Sequence, residues 1–322
     1  MEHPAAVRAG IKKPAAKWSQ KGRRALWKGI MRHWQLYLVI LLPVLYLIQF
    51  KYVPIWGSQI AFKDFLLGKG IEDSPWVGMK HFIKFFSSPQ FSRLLLNTLG
   101  LSFYSIGVGI FPPIVLAVSL NYVRQRFFGK TVQMVTYMPY FISTVLVVGI
   151  FSQILSLNGP VNQIIKNLGG EAILFMGSPG WFKTIYVFSG VWQATGYSAV
   201  VYLAALASVP PELHEAAIMD GATVVKRIWH IDLPGILPTA VILLIMASGR
   251  VLTVGYEKVL VMQNNLNIQT SDIISTYVYR IGLESMQYSY STAIGLFQSL
   301  VSLLLLVVVN AISKRLNETS LW

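Results

Sequence analysis

Six long runs of apolar residues limit what this chain can fold into. A helix needs about 20 apolar residues to cross the hydrocarbon core of a bilayer, and each run is long enough. Charged residues make up 12% of the chain, about half the share that is typical of soluble domains. The sequence therefore predicts an all-α, polytopic membrane protein whose six transmembrane helices cover about 34–53, 94–120, 131–155, 181–207, 236–256 and 291–312.

Lysine and arginine in the loops predict the orientation, because cytoplasmic loops carry an excess of them. If the N-terminus is inside, the inner segments hold 16 basic residues in 80 positions and the outer segments hold 8 in 99. This bias predicts both termini in the cytoplasm, with a basic leader over 1–33, a transmembrane domain over 34–312 and a tail over 313–322. The first apolar run is too long for the core of a signal peptide, so we interpret it as a retained span.

The sequence contains no credible catalytic or metal site. It has no cysteine, and its five histidines are scattered. The sequence Gly129-Lys130-Thr131 resembles the end of a phosphate-binding loop, but Arg124 occupies a position where that loop needs glycine. The net charge of +14 would suggest nucleic acid in a soluble protein, but nine of the 27 basic residues lie in the leader. We therefore predict no enzyme activity, no bound cofactor or metal, and no nucleic-acid partner.

A polar segment between the fourth and fifth apolar runs differs from its surroundings. Pro211 and Glu212 suit the first turn of a helix over 211–219. Gly221 is placed to end that helix in a left-handed conformation. A second short helix is predicted over 223–230, with Pro234 as its stop. These features predict a helix-turn-helix elbow on the cytoplasmic side of the membrane.

The first half of the elbow favours docking to a protein. Ala216 and Ala217 leave it almost without bulk, so that another backbone can approach closely, and Glu215 offers a carboxylate to an arginine of a partner. The alternative is an amphipathic segment that rests on lipid headgroups. That alternative would use the bulkier residues of the second half, which are Val225, Ile228 and Trp229.

The residues of the elbow resemble the EAA loop of ABC importer permeases. The matching positions, within a loop over 209–238, are Glu215, Ala216, Ala217, Asp220, Gly221, Ala222, Leu233 and Pro234. The resemblance implies the type I importer permease fold and a coupling helix that docks in a cleft of a separate ATP-binding subunit. Ile228 departs from the pattern, since many carbohydrate permeases have phenylalanine at that position.

Other segments point to one branch of this family. Residues 76–82, WVGMKHF, and the following Asn97-Thr98 are similar to the signature that precedes the second span of sugar permeases. Residues 52–65 and 270–280 resemble permeases for saccharides derived from polygalacturonan, rhamnogalacturonan and alginate. The resemblance therefore implies an oligosaccharide substrate, and it admits an acidic, uronate-containing one.

The resemblance also implies the rest of an assembly in the bacterial cytoplasmic membrane. Two homologous permeases, which need not be identical, would stand above two ATP-binding subunits that hold ATP and Mg. A soluble solute-binding protein would deliver the oligosaccharide from outside. This chain itself would bind no ATP.

Four alternatives remain open at this point. They are an ion-coupled secondary transporter, a membrane-embedded enzyme, a non-transporting scaffold or sensor, and a permease of the same family for another solute. The six predicted spans contain no aspartate or glutamate, which disfavours coupling to an ion gradient. Clusters of histidine or carboxylate that an enzyme would need are also missing.

Several residues are candidates for the substrate pathway. Arg250 is the clearest, because a charge inside a predicted span is a functional candidate by default. The alternative is that it reaches outward to water or pairs with an acid such as Glu257. Saccharide sites combine aromatic rings with hydrogen-bonding side chains, and the further candidates are Trp192, Gln193, Tyr197 and Tyr256. Packing against neighbouring helices is the alternative for the three residues of the fourth span, whereas Tyr256 begins a segment that is expected at the outer mouth.

Overall fold

The structure, a computed structural model, describes residues 31–317 and residue 320. The predicted leader therefore lies outside the described residues except for its last three positions. The regular structure of the described residues is helical and includes no β-strand, as the sequence predicted. The chain divides into two compact units, one that ends at Gly57 and one that begins at Ser58.

The first unit consists of helices whose side chains are exposed almost throughout. Helix α1 spans Trp34–Leu47, a π-helical turn follows over Ile48–Tyr52, and α2 spans Val53–Gly57. None of these residues is buried within the chain. A helix with apolar side chains exposed all round is suited to a lipid environment.

The second unit contains all the remaining helices of the described chain. The α-helices are α3 (Lys80–Phe86), α4 (Gln90–Asn121), α5 (Arg126–Tyr137), α6 (Thr144–Ile154), α7 (Pro160–Asn167), α8 (Pro179–Ala207), α9 (Pro211–Met219), α10 (Val224–Arg227), α11 (Leu233–Ser248), α12 (Tyr256–Met262), α13 (Ile268–Ser271), α14 (Ile274–Tyr279) and α15 (Tyr288–Asn317). Short 3₁₀ segments cover Ser58–Phe62, Met138–Phe141, Phe175–Gly177 and Val251–Thr253, and π-helical turns cover Ile228–Asp232 and Arg280–Glu284.

The number of apolar spans is lower than the six that the sequence predicted. Within the described residues, four helices are long and apolar enough to cross a membrane: one that begins at Trp34, and Gln90–Asn121, Val224–Ser248 and Tyr288–Arg315. A bent pair of helices makes up to five. Helix α8 has 29 residues but is not among the four, because its glycine, threonine and tyrosine residues lower its mean hydropathy. It still coincides with the predicted fourth span.

The third predicted span is not one straight helix. Its two halves, Arg126–Phe141 and Thr144–Ile154, meet at an angle of 101°. Ile142 is extended at the break, and the Ser143 side chain accepts a hydrogen bond from the Leu146 amide, which caps the new helix. An N-cap serine starts a helix by satisfying one of its free amide groups, so the sequence carried a signal for the break.

The fifth predicted span begins earlier and ends earlier than expected. Pro234 does not stop the second elbow helix, because it lies in the first turn of α11, where its missing N–H leaves no hydrogen bond unmade. Helical structure continues from Val224 through the π turn to Ser248. Arg250, predicted to lie inside the span, follows the end of the helix.

The packing of the second unit centres on α4 and α8. One core cluster joins α4, α8 and α11 and includes Ala117, Ala199 and Ile236, which are nearly or fully buried. Helix α5 also approaches α8 closely: a Cβ added at Gly196 would collide with the backbone of Thr136. Glycine in α8 thus permits backbone contact between two helices.

Two of the sequence signatures meet in space. The Asn97 side chain, on α4, donates hydrogen bonds to the carbonyls of Gln269 (2.8 Å) and Asp272 (3.1 Å). The Thr98 hydroxyl accepts one from the Ile274 amide at 3.0 Å. The pair Asn97-Thr98 therefore attaches the 270–280 segment to the start of the second span.

A buried aspartate reinforces that attachment. Asp272 is fully buried, and its carboxylate lies 2.7 Å from Nη2 of Arg280 and 3.7 Å from Nη2 of Arg93. Thr276 donates a further hydrogen bond to it at 3.0 Å. The charge of Asp272 is thus compensated, as a buried carboxylate requires.

Candidate functional site

The predicted elbow begins with a helix whose end is closed by a Schellman motif. Helix α9 ends at Met219, and Gly221 follows with φ +72°, so its predicted left-handed conformation is confirmed. The Ala222 amide donates to the Ala217 carbonyl at 2.8 Å and the Gly221 amide donates to Ile218 at 3.0 Å. These two bonds define the motif, and glycine enables it because a side chain disfavours positive φ.

The second half of the elbow is continuous with α11. The Thr223 side chain caps α10 by accepting a hydrogen bond from the Lys226 amide at 3.4 Å. The π turn Ile228–Asp232 then leads into α11 without a break. Ile228, where the family resemblance would suggest phenylalanine, is half-buried against the core cluster of α4, α8 and α11. The second half of the elbow and α11 therefore form one continuous helical stretch.

A buried carboxylate connects three elements of this region. Asp232, in the π turn, is fully buried. It accepts a hydrogen bond from Tyr122, at the end of α4, at 2.7 Å, and lies 3.4 Å from Nε2 of His214 on α9. The Arg227 guanidinium lies over the Tyr122 ring at 5.5 Å. Burial and the bond to Asp232 raise the pKa of Tyr122 to about 12, so its hydroxyl stays a donor at neutral pH.

The elbow presents a surface that is apolar as well as charged. The side chain of Glu215 is exposed, and its carboxylate forms no hydrogen bond or ion pair with any other described residue. Around it the exposed fractions of apolar side chains reach 87% at Met219, 66% at Trp229 and 63% at Val225. An apolar patch rimmed by charge is typical of a surface that another molecule covers.

The eight predicted docking residues divide into two groups. The exposed ones are Glu215, Ala216, Asp220, Gly221 and Pro234, and the half-buried ones are Ala217, Ala222 and Leu233. Residues 215–222 share the surface of α9 and its cap. Leu233 instead packs into the core cluster and anchors the base of the elbow.

A cavity of about 700 Å³ lies at the other end of α11. Its wall comes from α4, α8, the last turns of α11 and the segment that leads into α12. The polar lining residues are Ser102, Ser105, Tyr186, Gln193, Thr195, Ser198, Arg250, Thr253 and Lys258. Its size falls within the range of small-molecule sites in proteins.

The cavity contains two of the five predicted pathway residues. Arg250 and Gln193 line it, and the Gln193 amide also donates to the Ile142 carbonyl at 2.9 Å. Trp192, Tyr197 and Tyr256 do not line it. Their rings instead contact neighbouring aromatic rings, at centroid distances of 5.8 Å to Phe151, 3.9 Å to Tyr140 and 6.0 Å to Tyr279, respectively.

Sequence reasoning missed Lys258, which also lines the cavity. It is 8% exposed and lies on α12, beyond the end of α11. The available signal was a lysine that is followed directly by four apolar residues, VLVM at 259–262. Across the part of the chain that the structure describes, no group of three or more His, Cys, Asp or Glu side chains is arranged to hold a metal.

The fold and the cavity define a class, the helical membrane permeases. This chain belongs to the family of binding-protein-dependent transport system inner membrane components, whose model matches residues 105–318. Membership makes it a multi-pass, non-enzymatic subunit of an ABC transporter, as the sequence predicted.

Individual relatives agree with this assignment. The polygalacturonan/rhamnogalacturonan transport system permease protein YteP of Bacillus subtilis (strain 168) is 42% identical over 94% of each chain. A chain in the crystal structure of a bacterial ABC transporter involved in the import of the acidic polysaccharide alginate is similar, with a TM-score of 0.84 and 39% identity. That match covers 91% of this chain and 99% of the other.

A second solved structure shows such a transporter with its binding protein. It is the bacterial alginate ABC transporter in complex with an alginate pentasaccharide-bound periplasmic protein. Its matching chain has a TM-score of 0.83 and 38% identity, over 92% of this chain and 99% of that one. The prediction of an ABC sugar permease from the elbow and the signature segments is thereby confirmed.

Proposed function

We propose that this chain is one of two homologous permeases in an ATP-driven importer of acidic oligosaccharides. The observation that carries the proposal is the unbroken helical connection between the second half of the elbow and the cavity. Helical structure from Val224 to Ser248 has the elbow at one end and cavity-lining residues, among them Met246 and Ala247, near the other. Movement imposed on the elbow therefore reaches the cavity wall.

The proposed partners follow from the elbow and from the relatives. Two ATP-binding subunits, which hold ATP and Mg, would dock on the surface of Glu215, Ala216, Ala217, Asp220, Gly221 and Ala222. Leu233 and Pro234 would hold that surface to α11. The second permease need not be identical to this one. A soluble solute-binding protein would deliver the oligosaccharide, as the alginate transporter complex illustrates for that protein.

The proposed topology places the elbow and both termini in the cytoplasm of a bacterium. The leader 1–33 and the tail 313–322 would flank a transmembrane domain over 34–312, with the coupling loop at 209–238. The basic residues of the leader support this orientation. The final helix continues to Asn317, so part of the proposed tail extends the last span.

The substrate class is proposed from the cavity and from the relatives together. Arg250, which is exposed, and Gln193 offer a cation and an amide at an open cavity whose wall is largely helical. Serine and threonine hydroxyls beside them match the hydrogen-bonding groups of a saccharide. Trp192, Tyr197 and Tyr256 remain predictions for other parts of the pathway, outside this cavity.

The orientation is tested by labelling, which the natural absence of cysteine makes simple. A membrane-impermeant maleimide would be applied to cells that express Glu215→Cys or, as a control for the outer side, Asp73→Cys. We expect Glu215→Cys to react only in inverted vesicles and Asp73→Cys to react in intact cells. Reaction of Glu215→Cys in intact cells would refute the proposed topology.

The transport function is tested in proteoliposomes that contain both permeases, the ATP-binding subunits and the binding protein. We expect uptake of trigalacturonate that requires ATP and is blocked by vanadate. Glu215→Ala should weaken capture of the ATP-binding subunits and lower uptake, whereas Glu72→Ala, also exposed, should change neither. Uptake by this chain without any ATP-binding subunit would instead establish an ion-coupled transporter.

A further inference from the structure

Lys258 is a buried cation in the wall of the cavity. Its Nζ donates a hydrogen bond to the Tyr186 carbonyl at 3.0 Å and lies 4.9 Å from the centre of the Tyr186 ring. An ammonium group has three N–H donors, and this is the single hydrogen bond that it makes with described residues. At least one donor is therefore available to a group inside the cavity.

No negative charge compensates this cation within the described chain. Five ion pairs of 4.0 Å or less occur among the described residues, and none of them includes Lys258 or Arg250. Both of these cations line the same cavity. Burial lowers the pKa of Lys258 to about 8, because removing the ammonium group from water disfavours its charged form. An anion in the cavity would offset this effect.

The surroundings of Lys258 leave room for its ammonium group at the cavity wall. Gly190, on α8, faces it: a Cβ added there would lie 3.3 Å from Nζ. On the α4 side of the cavity, Ser105 has a buried hydroxyl with no hydrogen-bond partner among the described residues. Two cations line this cavity without an ion pair of 4.0 Å or less among the described residues, and one of them, Lys258, is buried. Together with the serine and threonine hydroxyls of the lining, they indicate a site for a ligand that is both anionic and rich in hydrogen-bonding groups.

We infer that Lys258 binds the carboxylate of a uronate residue and determines the preference for acidic over neutral saccharides. The inference rests on the proposed function and adds to it a residue and a chemical basis for selectivity. The ammonium group would donate to the carboxylate while Gln193 bonds to sugar hydroxyls. Arg250 would supply the second positive charge on the same wall.

Direct binding tests the inference without requiring transport. The full chain in nanodiscs would be titrated by calorimetry with trigalacturonate and with its methyl ester, which has the same sugar rings and no charge. We expect Lys258→Gln to weaken binding of trigalacturonate at least tenfold and to leave binding of the ester unchanged. Lys258→Arg should retain most of the affinity, and Lys69→Gln, an exposed lysine outside the cavity, should match the wild type.

Other patterns of binding contradict the inference. If Lys258→Gln weakens both ligands equally, Lys258 supports the shape of the cavity and does not select charge. If wild type binds neither ligand, or binds the ester as tightly as the acid, the cavity has no uronate site. Binding that follows the expected pattern together with absent ATP-dependent uptake would refute the proposed function and leave the site assignment standing.

Discussion

The Tyr122 hydroxyl lies 2.7 Å from a carboxylate oxygen of Asp232 and joins the end of α4 to the turn between the elbow and α11. Asp232 is fully buried, and its other carboxylate oxygen lies 3.4 Å from Nε2 of His214 without forming a hydrogen bond. One carboxylate therefore lies in contact with both α4 and α9. The base of the elbow is thus attached to α4 by a partly buried hydrogen bond, away from the exposed surface of the elbow. In the proposed mechanism, a movement of α9 would pass into the membrane-spanning helices at this contact.

Removing this hydrogen bond is expected to separate ATP hydrolysis from transport. Tyr122→Phe keeps the ring and leaves a buried carboxylate oxygen without its donor, at a cost of about 1–3 kcal/mol. We expect the assembled complex to retain most of its ATPase activity while trigalacturonate uptake falls several-fold. Tyr37→Phe, at an exposed position in α1, is the matched control. Equal loss of both activities would mean that the contact serves assembly alone.

Substitution of Gly221 tests whether the shape of the helix cap matters. Gly221 has φ +72°, and an added Cβ would lie in open space. The Gly221→Ala change would therefore strain the backbone without causing a steric clash. That strain costs about 1–2 kcal/mol. Gly221→Pro should be worse, since proline cannot adopt positive φ. We expect uptake to fall in the order wild type, alanine, proline, even where the complex still assembles.

Gly68→Ala is the control for that series, because Gly68 also has open space but no positive φ. It should behave like the wild type in uptake and in assembly. If both alanine variants transport normally, the capped conformation of α9 is not required for coupling.

The buried cluster at Asp272 is expected to stabilise the fold and not to select substrate. Asp272→Ala removes the partner of Arg280 and Arg93, but both guanidinium groups keep partial access to water. The expected loss is therefore about 1–3 kcal/mol and not the larger cost of a wholly buried unpaired charge. It is measured as a lower midpoint of thermal unfolding in detergent, with exposed Asp73→Ala as the control. An unchanged midpoint would show that the segment 270–280 is held by other contacts.

The binding of acidic saccharides is expected to weaken above neutral pH. With a pKa of about 8 in the empty site, Lys258 loses most of its charge between pH 7 and pH 9. The predicted loss of affinity for trigalacturonate is about tenfold over that interval. The other charged or titratable side chains that line the cavity are Arg250 and Tyr186, and α4 contributes the hydroxyls of Ser102 and Ser105.

Lys258→Arg separates this effect from other titrations, because a guanidinium group does not lose its proton in this range. Its affinity for trigalacturonate should be nearly constant from pH 7 to pH 9. A wild-type affinity that does not change over the same interval would contradict the role of Lys258.

The sequence was informative where local rules decide the structure. The cap at Gly221 follows from the preference of glycine for positive φ, and the elbow helix Pro211–Met219 begins and ends where its capping residues predict. The family assignment depended on the same residues. These features are set by a few neighbouring positions, so one sequence is enough to identify them.

Features that depend on packing between distant segments could not be predicted in the same way. Pro234 was expected to stop a helix, but it lies in the first turn of α11, where its missing N–H breaks no helical hydrogen bond. The break at Ile142 lies inside an apolar run, and hydropathy alone does not register it. Tyr122 and Asp232 are 110 positions apart in the chain, and Lys258 is 72 positions from the α8 residue Tyr186 to which it is bonded. Contacts between such distant positions leave no local pattern in the sequence.

The continuous helical stretch from Val224 to Ser248 has a mechanical consequence. Its 25 residues extend about 37 Å at 1.5 Å per residue. A tilt of about 10° about the elbow end would swing the far end by about 6 Å, slightly more than the 5.4 Å pitch of one helical turn. In the proposed importer, this stretch would act as a lever, because a small rotation at the elbow end would open a gap at the far end that is comparable to the width of a sugar ring.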